Sequence, residues 1–205
     1  MLASAHRLHT YLPEAAVPII DQWIQRTKCR FRIAPSRKTK LGDYRAPHQG
    51  QPHQISINKD LNPYAFLVTT VHEFAHLVTW EIHQNKVKPH GQEWKNNFKT
   101  LMQPFLNMNL LPQEIQFELS RYMANPAASS CTHLPLQRAL KRYDLPIDPQ
   151  MSTVEQLPVG TRFKWRTGQE FIKKEKVRKR YRCMEIGSNR VYLFNPLAEV
   201  KIISA

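Results

Sequence analysis

The segment from Asn62 to His83 constrains this 205-residue chain more than any other. Asn62 is a capping residue, and Pro63 follows it where a missing N–H costs nothing. The spacing predicts a helix from Pro63 to about His83. Phe66, Leu67, Thr70, Val71, Phe74, Leu77, Val78 and Ile82 give it a wide apolar face. A helix with so broad a face must be covered by other elements, so it reads as the centre of the fold.

The same helix carries His72-Glu73-Phe74-Ala75-His76, an HExxH pattern. Residues four apart on a helix lie one above the other. Both imidazoles can therefore reach one ion about 2.0–2.1 Å away. Glu73 stands one residue round, close to the ion without being a ligand. From there it can take a proton from a zinc-bound water, whose pKa is about 7. A buried structural histidine pair is the plain alternative.

A catalytic zinc takes three protein ligands and keeps one position open. His83 lies seven residues beyond His76, about 10 Å along the helix axis, too far to share the ion. His90 follows a loop over Lys86 to Pro89, with Gly91 beside it to free the backbone, and is the best third ligand. Glu93 is the competitor. Thr79 and Ile82 exclude the longer HExxHxxGxxH pattern. Tyr44, Arg45, His48, His53 and His83 are all candidates for the group that stabilises an oxyanion, and the residues do not choose among them.

Upstream, Leu12 to Gln25 reads as a helix that Pro18 bends or delays. Cys29–Ile33, Leu41–Arg45 and Gln54–Ile57 read as short strands, the last with Ile55 and Ile57 on one side. Downstream, Gly91 to Met102 and Gln113 to Tyr122 have helical spacing.

These residues carry a resemblance. VHEFAHLVTW followed by KPHGQEWKNNFKTLM, with TKLGDYR and HQISIN upstream, resembles the SprT-like family, which includes the Spartan-type proteases. The resemblance covers roughly residues 5 to 122. HExxH alone is common, whereas HExxH joined to His90-Gly91-Gln92-Glu93-Trp94 is far more specific. The resemblance implies a zincin-like domain with His72, His76 and His90 on zinc and Glu73 as the base. It also implies a DNA-associated metalloprotease that degrades proteins attached to or crosslinked with DNA.

Many SprT-like proteins continue into a four-cysteine zinc ribbon. Here the only cysteines are Cys29, Cys131 and Cys183, with no CxxC, so that ribbon cannot be built. The expected fold class is α+β. It comprises a zincin-like metalloprotease core (residues 1–122) with a central HExxH helix and a small antiparallel β-sheet. A linker with a short helix over Leu136 to Tyr143 (123–151) follows, and then a small β module (152–205). In that module Arg162–Arg166, Tyr181–Ile186 and Arg190–Asn195 alternate, with Thr167-Gly168 and Gly187-Ser188-Asn189 as hairpin loops.

Charge points to the partner. The chain has 30 Lys+Arg against 16 Asp+Glu, and residues 152–205 alone hold 12 basic and 5 acidic residues. Such an excess favours anionic partners, nucleic acid first. Lys173, Lys174, Lys176, Arg178, Lys179, Arg180 and Arg182 are the candidate nucleic-acid contacts. Phe163, Trp165, Phe171, Tyr181, Tyr192 and Phe194 are interleaved with them as stacking platforms or as core. Arg37, Lys38 and Lys40 form a smaller cluster that reads as surface loop.

The expected function is a zinc-dependent protease acting on DNA-associated proteins, with DNA gripped as single strands or without sequence preference. A nucleic-acid-binding regulator with a non-catalytic zinc site is the alternative, and another zinc hydrolase a third. No apolar run is long enough to span a membrane. Residues 1–18 show no basic start followed by an apolar stretch, so no signal peptide is expected. A cytoplasmic, reducing location follows, nucleoid-associated if the protein is bacterial.

Overall fold

The computed structural model describes residues 7–37, 39–126, 133–144, 148 and 150–203. Cys131 and Lys38 lie outside the described residues. The chain divides into two compact units, Met1–Asp144 and Leu145–Ala205.

In the first unit a 3-10 turn, Glu14–Ala16, leads into helix α1 (Val17–Thr27). The helix starts later than its apolar spacing suggests because Pro18 has no N–H to give and fits only the first turn. Lys28, in the left-handed region at φ 50°, ends it. Three strands follow: β1 (Arg30–Ala34), β2 (Gly42–Arg45) and β3 (Gln54–Asn58). Ile55 and Ile57 are fully buried.

The sheet order is β1-β3-β2. The expected antiparallel sheet is in fact mixed. β2 runs antiparallel to β3, but β1 pairs with β3 in parallel, Arg30 opposite Gln54 and Ile33 opposite Ile57. The chain passes through β2 before it reaches β3, so β1 and β3 lie alongside in the same direction. β2 is left as an edge strand.

Helix α2 (Pro63–His83) packs on this sheet. Asn62 caps it: its Oδ1 accepts from the N–H groups of Tyr64 (3.1 Å) and Ala65 (3.0 Å). Phe66, Val71, Phe74 and Leu77 are buried, whereas Ile82, in the last turn, is 62% exposed. A 3-10 turn over Gln84–Lys86 leads to α3 (Gln92–Asn107), which buries Trp94, Phe98, Met102 and Phe105. This helix outruns its expected end and continues through Pro104. The Thr79 hydroxyl joins it to α2, accepting from Asn97 Nδ2 at 2.9 Å.

Helices α4 (Gln113–Ala124) and α5 (Leu134–Lys141) complete this unit. The segment expected as linker thus supplies part of the core. Leu136, Ala139 and Leu140 are buried in the same cluster as Phe66 and Phe74. Asn62 Nδ2 donates to the Leu140 carbonyl (2.9 Å) and to Asp144 Oδ1 (2.6 Å), tying α5 to the start of α2.

The second unit is an antiparallel sheet of six strands: β4 (Met151–Thr153), β5 (Arg162–Lys164), β6 (Glu170–Val177), β7 (Arg180–Glu185), β8 (Val191–Phe194) and β9 (Glu199–Ile202). Their order is β4-β9-β5-β6-β7-β8. Val154, Leu157, Phe163, Phe171, Cys183, Phe194 and Val200 form its own small core. Among the described residues, no helix is long and apolar enough to cross a membrane.

Candidate metal centre

His72 and His76 stand four residues apart on α2, on the side that faces the loop before α3. His90 enters from that loop. Its own backbone is left-handed at φ 60°, so the strain falls on the histidine and not on Gly91, whose φ is −66°. Gly91 is needed for space instead: a Cβ there would lie 2.9 Å from the Lys88 carbonyl oxygen. The three rings meet at their Nε2 atoms, His76 and His90 each 3.2 Å from His72. Trp94, fully buried, backs them with its ring 4.7 Å from those of His72 and His90 and 5.5 Å from that of His76.

Burial is the main influence on all three imidazoles. It pushes His72 down to about 3 and His76 to about 4, with the neighbouring imidazoles adding to the effect, and it lowers His90. At neutral pH the rings are therefore uncharged and present lone pairs, as metal ligation requires. Bonds of 2.0–2.1 Å at tetrahedral angles put neighbouring donors about 3.3 Å apart. The 3.2 Å separations fit that spacing. The three histidines are thus a group that could hold a metal ion. Glu93, the competing ligand, is in the first turn of α3 and is not part of this cluster.

A cleft of about 230 Å³ opens over the cluster, lined by Gly42, Asp43, Tyr44, His72, Glu73, His76 and His90. Glu73 is 7% exposed. Its carboxyl is pushed up to about 8, chiefly by burial and further by Asp43, against the pull of Arg37, Lys40 and the Tyr44 main-chain N–H. Gly42 makes the room. A Cβ on it would overlap Glu73 Oε1 and lie 2.8 Å from Glu73 Cγ and from Thr69 Cγ2.

A family comparison completes the picture. The SprT-like family model matches residues 14–121, more than half of the chain. This chain belongs to the SprT-like family. Membership makes that stretch a metalloprotease-like domain. No curated protein and no solved structure matches the chain.

Of the oxyanion candidates, only Tyr44 lines the cleft of this SprT-like domain. Its ring stacks on His76, 6.2 Å between centroids, and its hydroxyl lies 2.9 Å from His53 Nδ1. His53 Nε2 in turn faces Glu81 at 3.8 Å. Arg45 is exposed and pairs with Asp43, and His48 sits in the loop that bridges to Gln51. His83 is at the end of α2. Spacing places Trp94 only on the apolar face of its helix and gives Gly42 no role. A glycine inside a strand is the available signal for Gly42, since it marks close approach of another group.

The basic run of the second unit divides. Lys173 is buried (3% exposed) and is not a surface cation. Its Nζ donates to the carbonyls of Glu155 (3.2 Å) and Leu157 and sits 4.2 Å from the centre of the Tyr181 ring. Lys176, Arg178, Lys179, Arg180 and Arg182 are exposed on β6, β7 and their turn, and Lys174 is half-buried. Arg182 pairs with Glu175 at 2.9 Å. Phe163, Phe171 and Phe194 are core, Trp165 and Tyr181 pack against that core, and Tyr192 is 39% exposed.

Proposed function

We propose that this SprT-like protein is a zinc metalloprotease that cleaves proteins bound to or crosslinked with DNA. One observation carries the reading. A buried carboxyl, Glu73, shares a cleft with three neutral imidazoles whose donor atoms converge. A site that only stabilises structure has no task for that carboxyl, which disfavours the non-catalytic alternative. The central helix on a mixed sheet with an open edge strand is in keeping with a zincin-like core.

His72, His76 and His90 would hold the zinc. Bound there, it supplies Lewis acidity to a water and to the scissile carbonyl. The remaining steps belong to the chain. Burial, aided by Asp43, holds the Glu73 carboxyl protonated at neutral pH, and the positive charge of an ion on the three histidines would bring it back to the carboxylate. In that form Glu73, oriented by the Tyr44 main-chain N–H and seated against Gly42, would accept a proton from the attacking water and pass it to the leaving amine. Tyr44 carries the one hydroxyl among the residues lining the cleft, and with His53 Nδ1–H donating to it across 2.9 Å its own proton is left for the carbonyl oxygen. Trp94 keeps bulk water from the back of the three rings.

The formal net charge of +14 supports DNA as the platform on which substrates are met. The exposed cations of β6 and β7 are candidate contacts to phosphate. The reading also places the protein in the cytoplasm, or on the nucleoid if it is bacterial. The test compares cleavage of a DNA-bound protein by the parent chain and by Glu73→Gln. Loss of cleavage in the variant is expected. Equal cleavage by both, after removal of host proteases, overturns the mechanism.

A further inference from the structure

The outer face of the first sheet is turned away from α2 and from the metal-ligating histidines. Alternation along the strands puts Arg30 and Arg32 of β1, Gln54 and Ser56 of β3, and Asp43 and Arg45 of β2 on it. No large apolar side chain is among them. Arg30, Arg32 and Arg45 are exposed, and among the described residues Arg30 and Arg32 have no acidic partner.

Arg37 reaches over this face from the loop after β1. Its Nε donates to Asn58 Oδ1 (2.7 Å), and its terminal nitrogens to Ser56 Oγ (3.0 Å) and the Ser56 carbonyl (3.1 Å). Asn58, 1% exposed, fixes that loop through bonds from Nδ2 to the carbonyls of Arg37 (3.1 Å) and Lys40 (2.9 Å). The guanidinium is therefore held in place, with donors left over. Among the described residues lining this part of the face the one carboxylate, Asp43, is paired with Lys40 at 2.7 Å and Arg45 at 3.1 Å. Between Arg32, Arg37 and Arg45 lies a concavity of about 160 Å³, floored by Gln54 and Ser56.

We propose that this arginine-lined face binds the sugar–phosphate backbone of nucleic acid, without reading bases. Three features select that ligand. The cations are nearly all arginine, whose planar fork matches phosphate oxygens. They are spread along strands, with residues two apart separated by about 6.6 Å, which suits a row of anions better than a single one. Stable attachment to a membrane needs apolar side chains in the acyl boundary beside the charge, and no large apolar side chain stands on this face.

The location has a consequence. Asp43 lines both this concavity and the metal cleft, which therefore flank the same edge strand, β2. A backbone held here passes beside the cleft, so a protein attached to it is presented to Glu73. The inference deepens the proposed function and rests on it for the nature of the substrate.

Binding is read separately from cleavage, by fluorescence anisotropy of labelled single-stranded and duplex oligonucleotides, over a range of salt. The full chain carrying Glu73→Gln is compared with the same chain carrying Arg32→Ala and Arg45→Ala in addition. Removing two phosphate contacts is expected to weaken binding at least tenfold. The slope of log K against log salt should fall by about 1.5. Gln54→Glu, a near-isosteric change on the floor, should also weaken binding, and stands as a second test should the double variant fold poorly. Unchanged affinity and slope in the folded double variant overturn the proposal. So does arginine-dependent binding to vesicles containing phosphatidylserine with none to either oligonucleotide. Loss of cleavage specificity alone bears on the proposed function, since the anisotropy arms need no catalysis.

Discussion

Gly42 of the edge strand backs onto Glu73 of the central helix so closely that a methyl group cannot stand between them. The glycine is not there for backbone freedom, because its φ lies outside the left-handed region. It is there because the carboxylate occupies the volume of a side chain. Gly42→Ala must therefore displace Glu73, Thr69 or the strand. Overpacking of this kind costs about 1–3 kcal/mol, and misplacing a catalytic group by about 1 Å costs about 100-fold in rate. The alanine variant should lose far more activity than stability. Thermal melting and kcat on one protein substrate measure both. Parental kcat in Gly42→Ala would show that Glu73 does not need this position.

The choice of third ligand is open to direct measurement. His90 brings Nε2 to 3.2 Å from that of His72, and Glu93 does not join the cluster. His90→Ala should purify with little zinc, and Glu93→Ala with parental zinc, by mass spectrometry of the metal. A ligand that binds only the folded state at 100 times its Kd stabilises it by about 2.7 kcal/mol. Chelation should accordingly lower the melting temperature of the parent and scarcely alter that of His90→Ala. Zinc lost from the Glu93 variant alone would reverse the ligand assignment.

The parts of this molecule that were legible in sequence are those with a strong local rule. Asn62-Pro63, the helical apolar spacing and the four-residue interval between His72 and His76 each act within one turn or one face. What failed to show is non-local. The parallel pairing of β1 with β3 depends on how the chain returns, not on any residue in either strand. α5 is short and flanked by prolines, so it reads as linker until Leu136 and Leu140 are seen in the core. β6 was hidden because Lys173 occupies an inward position beside Phe171, which breaks the expected apolar alternation. The ammonium is tolerated there only because two carbonyls and an aromatic face receive it. The arginine face of the first sheet is likewise spread over three strands and one loop.

Asn62 has two duties that substitutions can separate. It caps α2 through Oδ1 and anchors α5 through Nδ2. Loss of a cap costs about 0.5–2 kcal/mol, and loss of one hydrogen bond to the Leu140 carbonyl, which keeps the Tyr143 N–H at 3.1 Å, about 0.5–1.5 kcal/mol. Asn62→Ala should destabilise the first unit by about 1–3 kcal/mol in urea titrations. Asn62→Asp retains the cap but sets a carboxylate against Asp144 and the Leu140 carbonyl. Its loss should appear mainly as faster amide exchange in 134–144, with the start of α2 still protected. Uniform loss of protection in both segments would mean that cap and anchor are one cooperative element.

Within the basic run, structural and surface cations should respond in opposite ways. Lys173 holds the carbonyls of Glu155 and Leu157, which lie in the segment between β4 and β5. Lys173→Ala strands both acceptors and should cost the second unit about 1–3 kcal/mol. At temperatures where the variant remains folded, its affinity for an oligonucleotide should match the parent. Lys179, exposed in the turn between β6 and β7, offers the converse. Lys179→Ala should leave the melting curve within about 0.5 kcal/mol of the parent, as surface changes do. If that residue touches phosphate, the salt slope of binding should fall by about 0.7–0.9. Calorimetric melting of each variant beside a salt-dependent titration decides the matter. Parental stability with weakened binding in Lys173→Ala would return that lysine to the surface and undo the register assigned to β6.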